Sequence, residues 1–278
     1  MIIAVINNKG GTGKTTTCVT LAAAFALKRK RVLVADLDPQ ASASLALGVE
    51  WNALSPSWAD VVFDGIPAAD AVRKAVLPGV DLLPAEMELA SFDLTMGDRP
   101  DRDQRIRDAM APLRDDYDLI LCDCPPAMSL LSVNALVAAD GFLVPVTPEY
   151  LALEGLVSLM DAVDRMRNSL GITADFIGIV FTMVSRSFKT SRDIMTLVRK
   201  HYDSRVLDTE IPRNVKLLEA PAFGSSVFDL APGSPGAKAY TALAEELLVR
   251  LNMAETVARK SPASSNRPPG TLRKRKSS

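Results

Sequence analysis

The residues best equipped for chemistry lie in one stretch near the N-terminus, "NNKGGTGKTTT", Asn7 to Thr17. Gly10, Gly11 and Gly13 let backbone N–H groups turn toward an anion with no Cβ in the way. Lys14 is spaced to reach the outer phosphates of a nucleotide. The Thr15 hydroxyl is a ligand for Mg2+, and the Thr16 hydroxyl or amide falls near the innermost phosphate. With Thr12, these residues make a candidate phosphate-binding loop. The usual spacing is G-x-x-x-x-G-K-[ST]. Anchored on Gly13, Lys14 and Thr15, it calls for glycine at position 8, where this chain has Asn8. A second lysine, Lys9, follows at once.

Carboxylates come next. "VLVADLDPQ" ends an apolar run on Asp36 and Asp38, and "LILCDCPP" ends another on Asp123. In open parallel sheets ligands bind at the carboxyl ends of the strands. If both runs are strands, all three acids fall on the binding edge, and Asp123 is where Mg2+ finds its carboxylate. A strand-end aspartate that merely starts a turn is common, so the glycine loop carries the joint reading. Other chemistry is thin. His201 is the only histidine, and the three cysteines are Cys18, Cys122 and Cys124. Cys122 and Cys124 would share one strand face, yet no second Cys or His pair completes a metal set.

These groups need a scaffold. Apolar runs occur at 2–6, 31–36, 80–85, 118–123, 141–146 and 177–182, with a shorter one at 205–211. Helical patterns fall at about 15–29, 103–114, 129–138, 153–169, 190–201 and 235–257. Continuous apolar strands alternating with helices indicate an α/β fold: a mostly parallel twisted sheet covered on both faces. Strand, glycine loop and helix in that order are the context the phosphate motif needs. The stripe Tyr240, Leu243, Ala244, Leu247, Leu248 and Leu251 reads as packing on the sheet. The 278 residues suit a single P-loop domain over 1–258, with a polar, basic tail over 259–278 that reads as disordered. Net charge is −1, so any nucleic-acid contact needs a local patch. No apolar run reaches the roughly 18 residues of a membrane span. The start "MIIAVINNKGG" lacks a basic leader, and a cytoplasmic location is expected.

Together, "KGGTGKTT", "DLDPQ" and "DCPP" resemble the ParA/Soj group of deviant Walker A partition ATPases, in the ParA/MinD superfamily. The likeness continues in "VNALVAADGFLVPVTPEYLALEGL" (133–156), "IPRNVKLLEAPAFGSSV" (211–227) and "GAKAY" (236–240). It implies an ATPase using ATP and Mg2+ that forms a homodimer when ATP is bound. In similar proteins the extra lysine crosses the dimer interface to the partner's phosphates; here that residue would be Lys9. Phosphates buried between two subunits need more positive charge than one lysine and Mg2+ supply. Carried over, Asp38 resembles the aspartate that polarises or positions the attacking water, and Asp123 the one that holds Mg2+ through water. Pro212 and Asn214 resemble residues that hold adenine. Two departures stand out. Ser185 replaces a frequent aspartate after the sixth strand, and "DPQAS" replaces the common "DPQGN", altering the loop at Ala41 and Ser42.

The resemblance also implies nucleoid association through non-specific double-stranded DNA. From Ser185 to Lys216 there are eight basic residues, Arg186, Lys189, Arg192, Arg199, Lys200, Arg205, Arg213 and Lys216, against four acidic ones, Asp193, Asp203, Asp208 and Glu210. Such an excess suits phosphate contacts, which hold affinity and read no sequence; an ordinary solvated face has the same composition. Arg186, Lys189, Arg199, Lys200 and Arg213 are the candidate contacts. The implied activator is a ParB-like or other cargo adaptor, and the cargo a chromosome, a plasmid or a protein assembly such as a microcompartment or chemoreceptor cluster. Three rivals stay open. A MinD-like division-site ATPase would need a C-terminal amphipathic membrane anchor. An ATP-dependent amide or ring-forming ligase would need a substrate pocket beside the γ-phosphate. A nitrogenase-reductase-like iron–sulfur protein would need interface cysteines.

Overall fold

The computed structural model describes residues 1–185 and 187–254. Arg186 and the basic 259–278 segment lie outside the described residues. Eight strands form one sheet: β1 Ile2–Val5, β2 Val32–Asp36, β3 Arg73–Leu77, β4 Val80–Leu83, β5 Leu119–Asp123, β6 Gly141–Val146, β7 Asp175–Val184 and β8 Val206–Pro212. Their order is β3-β4-β2-β5-β1-β6-β7-β8. All neighbours are parallel except β3 and β4, which form an antiparallel hairpin at one edge.

The strands are apolar throughout because both faces are covered. Along β1, Ile2, Ala4 and Ile6 pack into one core while Ile3 and Val5 pack into the other. This is the period of two expected of a strand. The helices Leu130–Ala138, Ala152–Leu170 and Lys189–Tyr202 contribute to the first core. Lys14–Leu27 and Pro235–Arg250 contribute to the second. Between these two helices, buried Thr17 and Tyr240 share a hydroxyl–hydroxyl hydrogen bond of 3.0 Å. The Tyr240 stripe thus packs inward, as its spacing indicates.

Each of the seven expected apolar runs is a strand. The eighth, β3, has no apolar run to mark it in the sequence. Its sequence opens Arg73–Lys74, and only Leu77 of the strand is buried, so it lacks the apolar signature of its neighbours. The turn to β4 supplies what the strand lacks. Pro78–Gly79 closes the hairpin, with Gly79 at φ 77°, and the Asp81 carboxylate accepts the Ala75 N–H at 2.7 Å. The helix expected over 103–114 is only Arg105–Met110, followed by a 3-10 turn containing Pro112. Proline has no N–H to continue the α-helical ladder. The last helix ends at Arg250, short of the expected 257. Short helices such as Ser42–Ala46 and Lys216–Ala222 carry no periodic signal, because one or two turns hold too few residues to show a period.

One glycine in β7 shows how tightly the sheet is built beyond β6. Gly178 has φ 155°, and a Cβ there would lie 2.5 Å from the Arg205 carbonyl oxygen. Gly178→Ala should therefore lose about 2–4 kcal/mol through backbone strain and overlap. Urea unfolding measures this; a loss below 1 kcal/mol would contradict the packing described.

Candidate functional site

The glycine loop joins β1 to the helix Lys14–Leu27. Gly11 and Gly13 adopt the left-handed region, φ 72° and 81°, which a Cβ would oppose. No side chain caps the helix at Gly13, and its first turn carries no acidic residue. Its leading N–H groups and its positive dipole end therefore face the loop's concave side. The loop is tied down from β7 and β6. Thr182 Oγ1 donates to Thr12 O at 2.8 Å, and Asn7 Nδ2 donates to Pro145 O at 2.7 Å.

The two lysines are held differently. Lys14 is buried, 7 % exposed, and its ammonium donates to Lys9 O at 3.2 Å. Burial lowers its pKa, opposed by Asp123, Cys124 and Asp38. Lys9 faces outward: its ammonium meets Glu149 Oε2 at 2.7 Å, and the side chains are 41 % and 59 % exposed. An exposed pair of this kind contributes about 0–1 kcal/mol. Glu149 was not singled out in the sequence, since a lone glutamate after a strand carries no pattern.

Asp36 and Asp123 stand opposite one another in register on β2 and β5, both 0 % exposed. Neither oxygen of Asp123 has a hydrogen-bond partner among the described residues. Burial first, then Asp36, raises its pKa well above the usual carboxylate range, against the weaker pull of the nearby Thr15 hydroxyl and Lys14. A buried carboxylate left without donors is costly, and a hydrated cation is the partner such a group fits. With the Thr15 hydroxyl at the start of the helix, the residues present suit Mg2+ held directly by Thr15 and through water by Asp123. Asp36 differs because it is satisfied. It accepts the Ser44 N–H at 2.8 Å, the Ser44 hydroxyl at 2.7 Å and the Asp38 N–H at 3.2 Å. Burial pushes its pKa up to about 6 against those hydrogen bonds. Asp38 is partly exposed, and its carboxylate accepts the Gln40 N–H at 3.0 Å. Nothing in the sequence marks the Asp36–Ser44 link, since Asp36 reads there only as a strand end.

Beside the loop lies a mostly apolar cavity of about 280 Å3 lined by Gly13, Thr16, Met183, Pro212, Asn214, Leu217 and Tyr240, among others. Its position next to Thr16 and its apolar walls suit a base attached to phosphates in the loop. The turn that carries Asn214 is self-braced, with Asn214 Oδ1 accepting the Lys216 N–H at 3.0 Å.

The candidate DNA contacts divide. Lys189, Lys200 and Arg213 are exposed, and their side chains have no partner among the described residues. Arg199 turns inward instead. It donates to Leu207 O at 3.2 Å and Glu210 Oε1 at 3.3 Å, over the Phe181 ring. Cys122 and Cys124 are both buried. Among the described residues no cluster of His, Cys, Asp and Glu could hold a metal, and no helix is long and apolar enough to cross a membrane.

A strand–glycine loop–helix unit on a parallel sheet, with strand-end acids at the same edge, defines a P-loop ATPase. The AAA domain family AAA_31 matches residues 1–176. The chromosome partitioning protein ParA of Caulobacter vibrioides (strain NA1000 / CB15N) is 39% identical over 251 residues, covering 90% of this chain and 94% of that protein. The chromosome-partitioning ATPase Soj of Thermus thermophilus is 41% identical over 253 residues, covering 91% and 97%. Among solved structures, cobyrinic acid a,c-diamide synthase from Mycobacterium smegmatis with bound ATP analog and magnesium is similar at TM-score 0.80 and 30% identity, covering 95% and 98%. The chain belongs to the ParA/Soj family of ATPases, within the ParA/MinD superfamily.

Removing the orphaned carboxylate tests the magnesium assignment. Asp123→Ala should unfold no earlier than wild type without nucleotide, because an unpaired buried acid is gone. Wild type should gain about 2.7 kcal/mol from Mg2+ and ATP at a hundredfold excess over Kd. In thermal melts the extra gain that Mg2+ adds to ATP should shrink in the variant, since Thr15 still holds the ion but its water-bridged carboxylate is gone. An Mg2+ gain equal to wild type would reject Asp123 as a holder.

Proposed function

We propose that this ATPase dimerises on ATP, holds double-stranded DNA without sequence preference, and hydrolyses ATP when a cargo-bound partner engages it. The observation that carries the reading is the division of labour between the two lysines. Lys14 is buried beneath its own loop. Lys9 stands at the rim in a weak exposed pair, free to leave Glu149 at little cost. A second lysine in that position is suited to another subunit's phosphates rather than its own. Bound Mg2+ neutralises charge on the phosphate oxygens. The loop N–H groups and Lys14 hold the phosphate chain, the cavity at Pro212 and Asn214 takes the base, and Asp38 positions the water. Lys9 then makes dimer formation depend on the nucleotide.

Lys189, Lys200 and Arg213 are the DNA contacts in this reading. Arg199 serves mainly to brace the helix Lys189–Tyr202 against β8. The relatives named for chromosome partitioning support DNA as the cargo, moved through a ParB-like adaptor from a nucleoid-bound state. The structural relative named as an amide synthase keeps a ligase reading in view at 30% identity. The relatives named ParA and Soj are nearer in sequence, at 39% and 41%, and they favour the positioning ATPase.

Two experiments decide. In light scattering, wild type should dimerise with ATP but not with ADP, and Lys9→Ala should bind ADP normally yet stay monomeric with ATP. A dimer that survives the loss of Lys9 would reject the trans role. For DNA, Arg213→Ala removes one contact per subunit, so the dimer's slope of log affinity against log salt should become shallower by roughly 2. An unchanged slope would remove Arg213 from the interface.

A further inference from the structure

The loop that carries Asp38 is gripped at both ends by one buried carboxylate. Asp36 Oδ1 accepts the Asp38 N–H at 3.2 Å, and Oδ2 accepts the Ser44 N–H at 2.8 Å and the Ser44 hydroxyl at 2.7 Å. The same hydroxyl accepts the Ala85 N–H at 3.2 Å, just past β4. The grip is thus anchored to two neighbouring strands. Asp36 and Ser44 are both 0 % exposed, and hydrogen bonds to a carboxylate in such surroundings are strong and directional. Between the two ends the chain closes on itself. Ala41 N–H reaches Asp38 O at 2.8 Å, and Ala41 is held in the left-handed region at φ 52°, ψ 31°, which an alanine adopts only under constraint. The Ser44 hydroxyl does not cap its own helix. The cap position of Ser42–Ala46 is Ala41, and it makes no side-chain bond. The hydroxyl points back to the strand edge.

We propose that Asp36 and Ser44 are positioning residues for ATP hydrolysis, fixing the backbone of Asp38 and thereby the aim of its carboxylate. The inference rests on Asp38 acting as the water-positioning group. Ser44 touches no phosphate in this arrangement, and its effect passes through Asp36 to the Asp38 N–H. Loss of the hydroxyl removes one donor from Asp36 and the acceptor of the Ala85 N–H, which slackens the loop without emptying the nucleotide site. The base cavity and the glycine loop are built from other residues, so ATP affinity should not follow turnover.

The test is steady-state turnover of the full chain with Mg2+ and ATP, with melting temperatures recorded beside it. Asp38→Ala first tests the reading beneath the inference and should be slow. Ser44→Ala should lower kcat about tenfold, since misplacement by about 1 Å can cost as much as a hundredfold, with KM near wild type and melting lowered by a few degrees through the orphaned Ala85 N–H. Ser44→Thr restores the hydroxyl and should recover most of kcat. In the Asp38→Ala background, Ser44→Ala should cost nothing further, because groups acting as a unit are not additive. Wild-type kcat in Ser44→Ala would overturn the proposal. So would a fall matched by a raised KM, a Ser44→Thr as slow as Ser44→Ala, or full additivity with Asp38→Ala. If Asp38→Ala itself turns over normally, the water-positioning reading fails and the inference fails with it. A slow Asp38→Ala beside a normal Ser44→Ala sinks the inference alone.

Discussion

Two carboxylates face each other in register at the ends of β2 and β5, both fully buried, and the site is organised around that pairing. Like charges in a low-dielectric interior repel strongly, and each also loses its water. The two acids meet this cost differently. Asp36 gathers three donors from the loop that follows it. Asp123 has no partner at hydrogen-bond distance among the described residues, and only the weaker influence of the nearby Thr15 hydroxyl and Lys14 ammonium opposes its burial. One acid is therefore satisfied by its own loop, while the other is suited to a positively charged partner. That difference lets the fold persist before nucleotide arrives and still gain from its arrival.

The glycine loop is the mirror image of the problem. An uncapped helix end, two left-handed glycines and a buried ammonium gather positive potential on one side of β1. Lys14 turns its ammonium onto the Lys9 carbonyl, a neutral acceptor that yields readily to an anion. The strand order puts β1 between β5 and β6, so this positive end lies directly beside Asp123. Phosphate and magnesium are then bound as a pair, each relieving the other's burial cost.

Much of this was legible in the sequence, and the reason is periodicity. Buried parallel strands must be apolar on both faces, so each such run announced itself, and the acids at their ends followed from the rule for open sheets. The loop spoke through glycine spacing. What stayed hidden depends on contacts between distant residues. Glu149 meets Lys9 across 140 positions, and nothing in "TPEYL" marks it. Ser44 reaches back to Asp36 from a five-residue helix too short to show a pattern. β3 is polar because it is an edge strand. Among the basic residues of 185–216, charge counting could not separate Arg199, bound to Glu210, from exposed neighbours. Composition gives the sign of a surface; only packing tells which charges are already used.

The positions of Lys9 and Asp38 suggest how one nucleotide could be read twice. Asp38 belongs to a loop fixed by interior hydrogen bonds and a constrained Ala41, and such a group is aimed before substrate arrives. Lys9 belongs to the rim, where an exposed ion pair holds it weakly. A rigid residue suits chemistry, since misaimed water is costly. A loosely held residue suits assembly, since in the proposed dimer it would exchange Glu149 for a partner's phosphate. The opposite arrangement would serve neither purpose: a buried Lys9 could not leave its subunit, and a solvated Asp38 would lose its geometry. On the proposed reading, the lysine at position 9 and the constrained alanine at position 41 answer one requirement, that hydrolysis and association respond to the same phosphate through groups of different stiffness.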